Sequence, residues 1–192
     1  MIQTRSLCKC ITRQRVSLIQ LLGIQDEVMS VTKQSLVWNG EGIKVHIVDH
    51  PPFLDIKVQY EEREFKLLVK YGVEIPYIHF EDILGNGFGS GYQCSGVGSL
   101  MVNTALLYFT QMLPADTEVT GQMSDVGDPS DPEELNKCRQ IRHDFWRSFG
   151  FNVLSGEWGF QRIESILGSL SPKSSGLVFD KYPRLIPIEE FS

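Results

Sequence analysis

From Glu41 onward apolar and polar residues begin to alternate. Ile43-Lys44-Val45-His46-Ile47-Val48 stops at the turn signal Asp49-His50-Pro51-Pro52, and Phe53-Leu54-Asp55-Ile56-Lys57-Val58-Gln59-Tyr60 resumes the alternation. Glu61-Glu62-Arg63 turns the chain again, and Glu64-Phe65-Lys66-Leu67-Leu68-Val69-Lys70-Tyr71 returns. A period of two over runs this short belongs to strands with one face buried, and the short polar turns between them predict an antiparallel meander. Ile75 to Leu84 reads as a further strand, with Pro76 at its start, where a missing N–H is tolerated.

The pattern then changes. Gly85-Asn86-Gly87-Phe88-Gly89-Ser90-Gly91-Tyr92 holds four glycines in eight residues, and an insertion or flap is expected there. Leu100 to Phe109 has the composition and length of a buried helix, stopped by Pro114-Ala115-Asp116. Thr117 to Met123 reads as a strand. Asp131 can cap a second helix, with Pro132 at its first position and Glu133 and Glu134 in its first turn. Ile141, Phe145 and Phe149 give that helix one apolar face, and Gly150 ends it. Phe151 to Leu154 begins another strand, which Trp158 to Ile163 extends or follows.

Composition bounds what these elements build. At 192 residues and 42% apolar content the chain can bury one substantial core, so one domain with extensions is the simplest organisation. Residues 1–28 form a basic N-terminal extension, with Arg5, Lys9, Arg13 and Arg15 ahead of the first acid, Asp26. An accessory helix is the expectation there; a targeting peptide and a true start at Met29 are the alternatives. Residues 29–166 make the domain, and 167–192 a loop-rich tail packed on it.

A net charge of −6 and a pI near 5.2 argue against a general nucleic-acid or anionic-membrane binder, which needs basic surface to replace counterions. Cys8, Cys10, Cys94 and Cys138 lack metal-ligand spacing and read as free intracellular thiols. No membrane-length apolar run and no cleavable leader is recognisable, so cytoplasmic residence is expected. Asp125, Asp128, Asp131 and Glu134 lack the spacing and closing glutamate of a calcium loop, which predicts a solvated helix cap.

Candidate chemistry centres on Gln93-Cys94-Ser95-Gly96-Val97-Gly98-Ser99-Leu100. Its glycines permit backbone dihedrals that turn several N–H groups inward. The free amides of a helix's first turn, with its dipole, then favour phosphate oxygens. A phosphate-bearing ligand is expected. About forty residues on, Phe145-Trp146-Arg147-Ser148-Phe149-Gly150-Phe151 closes the second helix. Together the two stretches resemble the GNAT N-acetyltransferase superfamily, marked by a Q/R-x-x-G-x-G/A loop opening a helix and, after one more strand, a helix ending in a pattern like F-Y-x-x-x-G-F. The resemblance spans roughly residues 41 to 155.

The resemblance implies a mixed α/β (α+β) fold with a mostly antiparallel central sheet flanked by helices and a V-shaped cofactor cleft. It implies an acyl group moving directly from acetyl-coenzyme A, or another acyl-coenzyme A, to an amine of a small molecule or protein, with no metal. Gln93, Cys94, Ser95, Gly96, Val97, Gly98, Ser99 and Leu100 would hold the cofactor, chiefly the pyrophosphate on the amides of Cys94 to Ser99, with Trp146 beside it. For the base, Glu81 comes first and Asp82 second; alternate strand residues face opposite ways, so at most one of them points at the substrate, and His79 shares Glu81's face and could assist. Trp146 replaces the family's tyrosine acid, and an indole N–H is too weak an acid to deliver a proton; His143, about one helical turn away, is the alternative. The family habit of pairing implies a homodimer. Two other readings stand beside the enzyme: a non-catalytic acyl-coenzyme A sensor or interaction protein, and an α/β scaffold whose glycines merely turn the chain.

Overall fold

The computed structural model describes residues 33–40, 42–84, 95–123, 125, 128–155 and 161–173, with main chain alone for 33–40, Asp82 and Ser155. Among the described residues eight strands form one sheet: β1 (Lys33–Gly40), β2 (Ile43–His50), β3 (Phe53–Tyr60), β4 (Arg63–Gly72), β5 (Tyr77–Leu84), β6 (Glu118–Met123), β7 (Asn152–Ser155) and β8 (Gln161–Ile166). Two α-helices accompany them among these residues, α1 (Val97–Met112) and α2 (Pro132–Arg147). The spatial order is β1-β2-β3-β4-β5-β6-β8-β7. Every neighbouring pair is antiparallel except β5 and β6, which run parallel. The result is a mixed α+β fold on a mostly antiparallel, open sheet.

The meander lies where the alternation predicts it, with one strand more. β1 precedes Glu41, and its apolar residues Leu36, Val37 and Trp38 are consecutive rather than alternating. β8 is described from Gln161; Trp158, where that strand was expected to begin, lies outside the described residues. The glycine-rich stretch expected to form a flap falls outside the described residues, as do the N-terminal extension and most of the tail.

Alternation decides which face is covered. Ile43, Val45 and Ile47 of β2, Leu54, Ile56 and Val58 of β3, Phe65, Leu67, Val69 and Tyr71 of β4, and Ile78 and Phe80 of β5 are all buried and share one face through the pairing register. Both helices pack on that face. Phe109 of α1 lies 5.3 Å from the Tyr71 ring and Trp146 of α2 lies 5.5 Å from the Phe80 ring. Helix α1 is apolar on nearly every side, and most of its side chains are buried accordingly. Helix α2 is capped as its sequence predicts: Asp131 Oδ1 accepts from the Glu133 and Glu134 amides at 3.0 Å each.

Two polar devices tie α1 to its surroundings. The Asp49 carboxylate accepts from the Tyr71 hydroxyl at 2.6 Å and the Tyr108 hydroxyl at 2.7 Å. Burial, reinforced by the bond to Asp49 and its charge, pushes both phenols well above their ordinary range. Asn103, fully buried, donates to the Lys173 carbonyl at 3.0 Å and accepts from the Lys173 amide at 2.8 Å. Its carboxamide thus stands in for a strand partner and holds the chain beyond β8 against α1.

Candidate functional site

The parallel pair is where the sheet opens. Register between β5 and β6 runs Tyr77↔Glu118, Ile78↔Val119, His79↔Thr120 and Phe80↔Gly121, then stops. Yet β5 continues to Leu84 and β6 to Met123. Their main-chain groups beyond Phe80 and Gly121 are therefore not paired with each other, and the strands part at their carboxyl ends. In a β-α-β unit that end also faces the start of the connecting helix, where ligands of open α/β sheets bind. Gly121 sits at the last pair for a steric reason: a Cβ there would come within 2.9 Å of the Ile163 side chain and of Phe80 Cβ.

At the same point β5 bulges. Phe80 pairs with Val69 and Asp82 with Leu68, which leaves Glu81 as an extra residue without a register partner. The bulge changes the phase, so that Ile83, not Asp82, continues the face of Ile78 and Phe80. Regular alternation, the premise that put Glu81 on His79's face, is interrupted at Glu81 itself. Glu81 is exposed on the lip of the opening. His79 is engaged elsewhere, with its Nδ1 2.8 Å from Thr120 Oγ1 across the parallel pair. The main chain of Asp82 belongs to the β4 ladder; its side chain lies outside the described residues.

Helix α1 starts on a glycine. Its N-cap, Gly96, has φ 86° and ψ −9°, the left-handed conformation that glycine adopts without strain. No side chain caps the helix and no acid occupies its first turn. The first helical bond runs from the Leu100 amide to the Gly96 carbonyl at 3.0 Å, so the amides of Val97, Gly98 and Ser99 have no intrahelical acceptor. Among the described residues, the Ser95 hydroxyl lies 3.5 Å from the Val97 amide. Val97, Gly98, Ser99 and Leu100 are buried, while Ser95 and Gly96 are partly exposed. Gln93 and Cys94 lie outside the described residues.

Trp146 is buried, 5% exposed, in an aromatic cluster with edge-on contacts to Phe80 at 5.5 Å, Phe145 at 5.2 Å and Phe151 at 5.2 Å. Its role in the fold is therefore to seat α2 on β5 beside the parting strands. His143, one turn earlier, is partly buried, and its Nε2 is buried with no hydrogen-bond partner among the described residues.

The acidic stretch before α2 corrects one expectation. Asp125 and Asp128 are not a solvated cap but partners of the helix: Asp125 accepts from Arg139 and Arg142, and Asp128 accepts from Arg142 at 2.6 and 2.8 Å. Arginines three residues apart lie on one face of α2 and reach back to the loop that precedes it. Carboxylates committed to guanidinium groups make a poor calcium site, and among the described residues no group of acids, histidines and cysteines could hold a metal ion. Cys138, the free thiol of the described residues, is buried.

Sequence reasoning missed Tyr71, Tyr108, Asn103 and Gln161, all buried polar residues whose partners or surroundings are dozens of residues away. No local signal carries that information. Among the described residues no helix is long and apolar enough to cross a membrane. No family model, no curated protein and no solved structure matches the chain.

Proposed function

We propose that this chain is a GNAT-like N-acyltransferase that carries an acyl group from acyl-coenzyme A to an amine. The observation that carries the reading is the parting of β5 and β6 directly after Phe80 and Gly121, in the β-α-β unit whose helix opens on the left-handed Gly96 cap. A gap between strands offers unpaired main-chain groups to a ligand rich in amides, such as pantetheine, and uncapped helix amides suit its pyrophosphate. In this reading Ser95 to Leu100, preceded by Gln93 and Cys94, hold the diphosphate. Positioning of thioester against amine supplies much of the acceleration, up to roughly 7–11 kcal/mol in favourable intramolecular comparisons.

Glu81, exposed at the bulge on the β5 lip, is the first choice for the base that takes the amine proton, ahead of Asp82. The thiolate leaves without help from Trp146, whose indole is buried among aromatic rings. That burial also supports a second reading, in which the chain binds acyl-coenzyme A as a non-catalytic sensor or interaction protein.

Two measurements separate these readings. Titration calorimetry with acetyl-coenzyme A compares Gly96→Asn, which tolerates the left-handed conformation, with Gly96→Asp, the same shape bearing a negative charge. The Asp variant should bind at least tenfold more weakly than the Asn variant. Equal affinity in both would remove the diphosphate from this helix. Release of free thiol with a panel of amines then distinguishes the enzyme from the sensor.

A further inference from the structure

The sheet has a second face, turned away from both helices, and its charge runs against that of the chain. Lys66 and Lys70 of β4 alternate with buried Phe65, Leu67, Val69 and Tyr71, so they point away from α1 and α2. By register Lys57 of β3 and His46 of β2 stand beside Lys66 in one row across the strands. Phe53, His50 and His79 stand beside Lys70 in another. The two rows are four residues apart on β4, about 14 Å along the strand. Val48, Asp55 and Leu68 form the row midway between them. All of these side chains except Asp55 are partly exposed.

This arrangement works against the sheet itself. Lys57 lies directly opposite Lys66, and like charges in that position repel. Lys66 turns diagonally to Asp55, its Nζ 2.7 Å from Oδ2, while His50 Nε2 lies 3.5 Å from Oδ1. Asp55 is thereby committed. Among the described residues Lys57 and Lys70 have no acidic partner, although the chain carries 24 acids against 18 lysines and arginines. An acidic chain that gathers unmatched lysines on one sheet face, against the pairing rule for strands, breaks local consistency in the way binding surfaces do.

We infer that this face docks an acidic segment of a partner protein, extended along the strands, with acids four residues apart and an apolar residue between them. Two such acids in an extended chain are also about 14 Å apart, which sets one against Lys57 and Lys66 and the other against Lys70. The residue between them meets Val48 and Leu68, where a further acid would face Asp55. The size of the patch chooses the partner. Its lysines lie on two neighbouring strands, β3 and β4, about 5 Å apart. A nucleic acid or an anionic membrane would run on past it over a chain whose net charge is −6, whereas a short acidic segment fits within it. Because the face lies across the sheet from α1, the inference does not depend on the acyltransferase reading.

The test titrates the full chain, labelled with nitrogen-15, with the capped peptide Glu-Glu-Gly-Val-Gly-Glu-Glu and with its counterpart bearing glutamine in place of every glutamate. A single-stranded RNA and phosphatidylserine vesicles are titrated alongside. The acidic peptide should shift amides of β2, β3 and β4 saturably and bind at least tenfold tighter than the glutamine peptide. Lys57→Gln and Lys70→Gln should each weaken it at least threefold, whereas Lys137→Gln, exposed on α2, should leave it within twofold. Lys57→Gln should also keep or raise the melting temperature, since it removes the repulsion from Lys66. Acetyl-coenzyme A, whose proposed seat is across the sheet, should not displace the peptide. Equal affinity for the two peptides, or full affinity in Lys57→Gln, overturns the docking face. So does displacement by acetyl-coenzyme A, which would make the lysines a general phosphate trap. RNA or vesicles that bind more tightly than the peptide, and lose their hold in Lys57→Gln, overturn it in favour of a polyanion or a membrane.

Discussion

The pair of phenols on Asp49 makes the molecule's alkaline limit a residue-scale matter. Tyr71 and Tyr108 are 2% and 5% exposed, and both hydroxyls must stay protonated to donate to the same carboxylate. Their folded-state values lie above the ordinary tyrosine value of 10.0, because burial, then the bond to Asp49, then its charge, all disfavour the phenolate. The folded state therefore binds these protons more tightly than the unfolded chain. The stability they contribute is whole below pH about 10 and falls as pH rises through the raised values. Each such proton steepens that fall by about 1.4 kcal/mol per pH unit. Tyr108→Phe should lose one of the two contributions, so urea midpoints between pH 10 and 11 should decline less steeply than in the wild type. An unchanged slope would mean that Tyr108 does not donate to Asp49 in solution.

At the scale of elements, α2 owes its position to its own preceding loop. Asp125 shares its two oxygens between Arg139 and Arg142, whose side chains are 30% and 24% exposed. Asp125→Asn keeps the shape and removes the charge. It should cost about 1–3 kcal/mol, seen as a lower urea midpoint and partly masked by salt. Calcium should leave the wild-type midpoint unchanged, and a calcium-dependent rise would show that the arginines do release these acids. The acids were visible in the sequence, but their arginine partners, fourteen and seventeen residues on, were not paired with them. What was legible had a local cause: the period of two in β2 to β4, the Asp131-Pro132 start of α2, the glycine before α1. The bulge at Glu81 was not legible, since only pairing with Leu68 and Val69 defines it. β1 is not legible because a strand whose apolar residues are consecutive has no period to read.

Across the whole molecule the sheet is two unequal halves joined by a narrow seam. β2 and β3, like β3 and β4, share eight registered pairs, whereas β5 and β6 share four. The larger half is a meander closed by short turns, so its contacts are local, whereas β6 joins β5 only across the length of α1, and β8 joins β6 only across the length of α2. What strengthens the seam is aromatic: Phe80 on β5 meets Trp146 at 5.5 Å and Phe151 at 5.8 Å, so residues from both sides interlock over Gly121. Trp146→Phe, which shortens that contact without emptying it, should lower stability by about 1–3 kcal/mol. The loss should not be spread evenly. In hydrogen exchange the amides of β6 and β8 should lose protection while those of β2, β3 and β4 keep theirs, because opening the seam leaves the meander and its α1 contacts in place. If protection fell by the same factor in all these strands, the sheet would be one cooperative unit. The parting of β5 and β6 would then be a rigid notch, not a hinge along which a ligand could be clasped.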